Sequence, residues 1–119
     1  MGSWKVVVTE EFEGWMMGLT EKQRVAISRG INQLRIEGPS LGRPLVDTIS
    51  QSRYKNMKEL RISSGGALRV LFAFDPERSA VLLLGGDKSE QSMWSDWYSS
   101  SIRRADHLFE QHLNKLGNK

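Results

Sequence analysis

A chain of 119 residues, 39% hydrophobic and 26% charged, has material for one soluble domain with a single core, expected to span residues 1–119. It contains no cysteine, which excludes disulfides and thiolate metal sites and fits a reducing cytoplasm. Neither an apolar leader nor a run of about 18 apolar residues is present, so export by a signal peptide and membrane insertion are not expected, while the net charge of +3 leaves RNA, DNA and acidic proteins open as partners.

Taken in order, Trp4 to Thr9 is short and β-branched and reads as a strand. Thr9 followed by Glu10 and Glu11 is a helix start, because carboxylates in the first turn favour the positive end of the helix dipole. Phe12, Trp15, Met16 and Leu19 recur at helical spacing, and this helix should end near Gly18. Thr20 with Gln23 three residues on is a capping-box pattern. The second helix carries Ile27, Ile31 and Leu34 on one face and stops at Gly38-Pro39. After a Gly- and Pro-rich loop, Leu45 to Ile49 fits a short edge strand.

Tyr54 to Ile62 reads as a strand whose faces separate by parity: Lys58, Leu60 and Ile62 on one side, Lys55, Met57, Glu59 and Arg61 on the other. Ser63 to Gly66 is expected to turn the chain. Leu68 to Phe74 follows, with Arg69, Leu71 and Ala73 opposite Leu68, Val70, Phe72 and Phe74. Asp75-Pro76-Glu77-Arg78 is a turn signal. Ala80 to Leu84 is wholly apolar, suiting a strand covered on both faces, and Gly85-Gly86 should break it. Lys88 to Met93 is polar and reads as a mobile connection. From Trp94 a helical pattern returns, with Ile102, Ala105, Phe109, Leu113 and Leu116 as its apolar stripe. The expected fold class is α+β: an N-terminal strand and helix hairpin packed on a twisted, mainly antiparallel sheet, closed by a C-terminal helix.

Between Arg53 and Arg69 five cations (Arg53, Lys55, Lys58, Arg61, Arg69) surround one carboxylate, Glu59. Such density on two adjacent strands suits phosphate binding. His107 and His112, five apart, are poorly spaced to share a metal, and no metal or cofactor is expected.

Met57-Lys58-Glu59-Leu60-Arg61, the Arg69-Val70-Leu71-Phe72 strand, the Val81-to-Gly86 strand and Lys88 together resemble the RelE/HigB superfamily of bacterial toxins, nearest to the phage Gp49-like, HigB-type branch. The resemblance covers roughly Trp4 to Leu116. It implies a microbial-ribonuclease-like fold and the toxin of a type II toxin–antitoxin operon. It further implies a metal-independent endoribonuclease that cuts mRNA on the ribosome, restrained by a cognate antitoxin of the helix-turn-helix, HigA-like kind. The metal-free RNA cleavage that the family resemblance implies needs a base for the ribose 2′-OH, cations for the phosphorane and an acid for the leaving oxygen. Glu59 is the candidate base, or else an anchor for Arg61. Arg69 suits a bidentate grip on phosphate, with Arg61 beside it. Lys88, after the Gly-Gly pair, is a candidate for phosphate binding or leaving-group stabilisation. Lys55, Lys58 and Tyr98 are candidate RNA contacts, Tyr98 through stacking. A solvated Glu59–Arg61 ion pair and a Tyr98 that merely anchors its helix are the plain structural alternatives. Members of that family often carry a Tyr or His near the C-terminus as acid or base; Leu113 to Lys119 contain neither, and Tyr98 and His112 are the nearest substitutes. A ParE-like inhibitor of DNA gyrase and a non-catalytic RNA- or ribosome-binding module remain alternatives.

Overall fold

In the computed structural model, which describes residues 3–63, 67–88 and 94–117, five strands form one sheet with helices on both faces. The elements are β1 (Lys5–Val8), α1 (Glu10–Met17), α2 (Glu21–Glu37), β2 (Val46–Thr48), β3 (Met57–Ile62), β4 (Leu68–Phe74), β5 (Ser79–Asp87) and α3 (Trp94–Gly117). The expected turn at residues 64–66 and connection at 89–93 lie outside the described residues. The strand order is β1-β5-β4-β3-β2, and all neighbours are antiparallel except β1 and β5. The parallel pair arises because α1 and α2 intervene before the chain re-enters the sheet, so β1 docks against the last strand.

Local signals hold. Thr9 caps α1 by accepting the Phe12 N–H at 3.0 Å, and the Thr20–Gln23 capping box is reciprocal, at 3.0 and 3.1 Å. Parity sorts the core into two layers. Leu60, Ile62, Leu68, Val70, Phe72 and Phe74 pack with Phe12, Ile27 and Leu34 beneath α1 and α2. Met57, Leu71, Ala73, Val81 and Leu83 pack with Ile102, Ala105 and Phe109 of α3.

Two boundaries differ from expectation. β3 begins at Met57, not Tyr54, because the preceding loop docks onto α3: the Arg53 N–H reaches the buried Asp106 carboxylate at 3.1 Å, and the Tyr54 ring meets Phe109 edge-on. Gly85-Gly86 does not break β5. Both glycines stay in the ladder, opposite Val70 and Arg69. Their missing side chains make room for two indoles: a Cβ would come within 2.4 Å of Trp15 at Gly85 and of Trp97 at Gly86.

Candidate active site

The α3 side of the sheet is apolar at its centre and charged at the end where β3 leaves and β4 enters. Two cross-strand rows build that end. Asp47, Glu59, Leu71 and Leu84 form one, and Arg61, Arg69 and Gly86 the next. A β-bulge in β5 completes it. Leu71 pairs with Leu84 and Phe72 with Leu82, leaving Leu83 as the extra residue. Strict alternation from Val81 would turn residue 88 away from α3; the extra residue reverses the phase and brings Lys88 to the α3 side. Its backbone N–H closes the ladder on the Ala67 carbonyl at 2.8 Å.

Glu59, Arg61, Arg69, Lys88 and Tyr98 line one hollow of about 310 Å³. Glu59 is buried, with 4% of its surface exposed. Arg61 Nε donates to Glu59 Oε2 at 2.9 Å and a terminal nitrogen of the same guanidinium to Asp47 Oδ2 at 3.2 Å. The Glu59 contact, foremost, raises the Arg61 pKa further above its usual value. Asp47 is held in turn by Arg43, which contacts both carboxylate oxygens at 3.1 Å. That bond and the Thr48 N–H lower its pKa. Arg69 donates to the Leu68 carbonyl at 2.9 Å, which directs its guanidinium back along β4. Tyr98, on the first turns of α3, has its phenol pKa pushed far above the ordinary value, by burial first and then by the charge of Glu59 and a hydrogen bond to it. It is therefore a proton-bearing group at neutral pH.

Five expected residues thus share one cavity, and two do not. Lys58 lies on the opposite side of β3, where its ammonium donates to the Thr48 hydroxyl at 3.1 Å. Lys55 falls in the loop that docks on α3, exposed and outside the hollow. His112 is also elsewhere: its Nε2 is 2.7 Å from Asp75 Oδ2, tying the β4–β5 turn to the C-terminal half of α3. A larger cleft of about 610 Å³ lies near it, between β1 and α3. Its walls mix Glu10 and Glu11 with Arg104 and Lys115, so no single charge sign converges there. Asp47, which holds Arg61 in place, is a residue of this candidate site that the sequence reading missed. Asp47 carries a usable signal, since it faces Glu59 across the β2–β3 ladder. Among the described residues no group of three His, Asp or Glu side chains could hold a metal ion, and no helix is long and apolar enough to cross a membrane.

Residues 14–110 match the family described as phage-derived protein Gp49-like (DUF891). The chain belongs to this family, within the RelE/HigB superfamily of toxins. It is 44% identical over 108 residues to the candidate toxin HigB3 of Mycobacterium tuberculosis, covering 91% of this chain and 92% of that one. It is 45% identical over 106 residues to the candidate toxin HigB2 of the same organism. That match takes in 87% of this chain but only 52% of HigB2, so the chain spans about half the length of that relative. The fold is that of the isolated E. coli RelE toxin, with a TM-score of 0.61 at 11% identity over 84% of this chain and all of RelE. It also matches the toxin–antitoxin complex RelBE2 of M. tuberculosis, with a TM-score of 0.55 at 16% identity over 72% of this chain and 99% of the matched one.

Proposed function

We propose that this chain is the toxin of a toxin–antitoxin pair and that it cleaves mRNA on the ribosome by metal-independent attack of a ribose 2′-OH on the adjacent phosphate. The observation that carries the reading is the convergence of Arg61, Arg69 and Lys88 with Glu59 and Tyr98 around one hollow. Three cations there can neutralise the charge that builds on the phosphorane, and fixed donors in a partly dry site stabilise it better than water does. Glu59 accepts the 2′-OH proton. The new O2′–P bond forms as the P–O5′ bond breaks, leaving a 2′,3′-cyclic phosphate upstream. Tyr98, protonated at neutral pH, hands its proton to the departing 5′-oxygen, and Lys88 stabilises that oxygen. Arg61, pinned by Glu59 and Asp47, holds its place as charge develops.

The partner that restrains this activity is a cognate antitoxin, of the helix-turn-helix kind, with an acidic segment over the cationic end of the sheet. Solved complexes of RelE-type toxins with RelB antitoxins support the existence of an antitoxin partner. The test is a translating extract supplied with purified wild-type chain or Arg69→Ala. The wild-type protein should shorten ribosome-bound mRNA and the variant should not. Intact mRNA with the wild-type protein would overturn the assignment, and inhibited DNA supercoiling in a parallel assay would replace it with a gyrase inhibitor.

A further inference from the structure

Arg61 and Arg69 stand between two concavities. One is the hollow of Glu59, Lys88 and Tyr98; the other, of about 260 Å³, is walled by Pro44, Leu45, Ser63 and Ala67. The same two arginines line both. Their chemistry differs. The first offers a carboxylate, an ammonium and a phenol, whereas the second adds to the arginines only a proline ring, two aliphatic side chains and one hydroxyl. Its wall is anchored: the Leu45 carbonyl accepts the Arg61 N–H at 2.7 Å, and the Leu45 side chain packs on the core beneath α2. The Arg61 guanidinium is pinned by Asp47 and Glu59, so the partition between the two concavities is fixed as well.

We infer that the second concavity is a nucleobase subsite, which receives the base next to the linkage held by Arg61 and Arg69. This deepens the RNA-cleavage reading and rests on it. An RNA strand alternates an anionic phosphate with a flat, largely apolar base. A strand whose phosphate is gripped by the arginine pair must place its next base beyond that pair, and the surface it meets there is apolar on one side and guanidinium on the other. Bases stack on guanidinium planes as they do on aromatic rings. The volume lies below the roughly 300–1,000 Å³ of sites for drug-sized ligands and suits a single base. With Ser63 supplying one hydroxyl, the subsite holds a base by its faces and discriminates little between base edges.

The experiment measures binding of three tetranucleotides made uncleavable by a 2′-deoxy sugar at the attacking position: one intact, one abasic immediately 5′ of the linkage and one abasic immediately 3′ of it. One of the two abasic oligomers should bind the wild-type chain about tenfold more weakly than the intact one. Ser63→Leu, at an exposed position, fills the concavity without touching the core and should bind the intact oligomer and that abasic one alike. Leu45→Gln, which keeps the backbone bond to Arg61, should shrink the same difference. Equal binding of all three oligomers to the wild-type chain, or a difference that survives both substitutions, overturns the subsite. Absence of any Arg69-dependent oligomer binding would instead bring down the RNA-cleavage reading, and the subsite with it.

Discussion

Arg61 stands directly opposite Arg69 in the β3–β4 ladder, so one cross-strand pair places two guanidinium-bearing side chains on the same face of the sheet. Like charges opposite each other cost the sheet a few tenths of a kcal/mol up to about 1. Glu59 and Asp47 compensate Arg61. The pair still leaves positive charge for an anion to complete.

Arg69→Ala should accordingly separate stability from function. Removing one of two opposed cations leaves the melting temperature unchanged or slightly higher. Cleavage of ribosome-bound mRNA should fall by about 10²- to 10³-fold, as when a preorganised donor to the transition state is deleted. Thermal melts beside a cleavage time course check both halves. The salt dependence of RNA binding should also become shallower by about one unit of slope.

Tyr98→Phe keeps the ring and removes the proton. Cleavage should drop by about 10²-fold or more, with little change in fold. The pH dependence carries a sign. The folded-state pKa is raised above the ordinary 10.0, so the native state keeps its proton where the unfolded state has lost it. The contribution of Tyr98 to stability is therefore full below about pH 10 and drains away as pH climbs beyond it. Melting temperatures between pH 8 and 11 should decline less steeply for Tyr98→Phe than for the wild-type chain.

Glu59→Gln retains an acceptor for Tyr98 and loses the charge that Arg61 contacts. The fold should persist, because Asp47 still holds Arg61. Single-turnover cleavage should fall by about 10²-fold across neutral pH. If Glu59 served only as an anchor, cleavage would stay within a few-fold of wild type and stability would carry the loss.

Gly86→Ala adds one methyl group where Trp97 already lies, with 2.4 Å available to it. The indole must move, and Tyr98 is the next residue along α3. Cleavage should fall further than stability does, an effect visible as a lowered rate in a protein that still melts cooperatively. Gly85→Ala, facing Trp15 on the other side of the sheet, should cost stability and leave the rate per folded molecule nearly unchanged.

Much of this was readable before coordinates. Period-two alternation assigned Glu59, Arg61 and Arg69 to one face and Leu60, Ile62, Val70 and Phe72 to the other, because β3 and β4 are regular and each face has a distinct polarity. The capping box at Thr20 and the stripe of α3 were equally plain. What alternation could not reveal was Leu83: an apolar run looks the same whether or not one residue is extra, so the side on which Lys88 emerges was settled by the bulge. Lys55 was misplaced because Tyr54 has strong strand preference yet packs on Phe109, a tertiary contact that overrides local preference. Gly85 and Gly86 look like breakers in a string of letters. The indoles that need their bareness come from Trp15, near the start of the chain, and from Trp97 on the following helix.

The supernumerary leucine has a consequence for variation among relatives of this chain. It acts as a half-step in the count. Excising that one position would leave Leu84 opposite Leu71 and Lys88 on the α3 side, but a strand of equal length that ran straight, with no bulge, would re-phase everything beyond Leu83 and swing the ammonium of Lys88 to the reverse of the sheet. A homologue could therefore keep Glu59, Arg61, Arg69, Lys88 and Tyr98 letter for letter and still be inert.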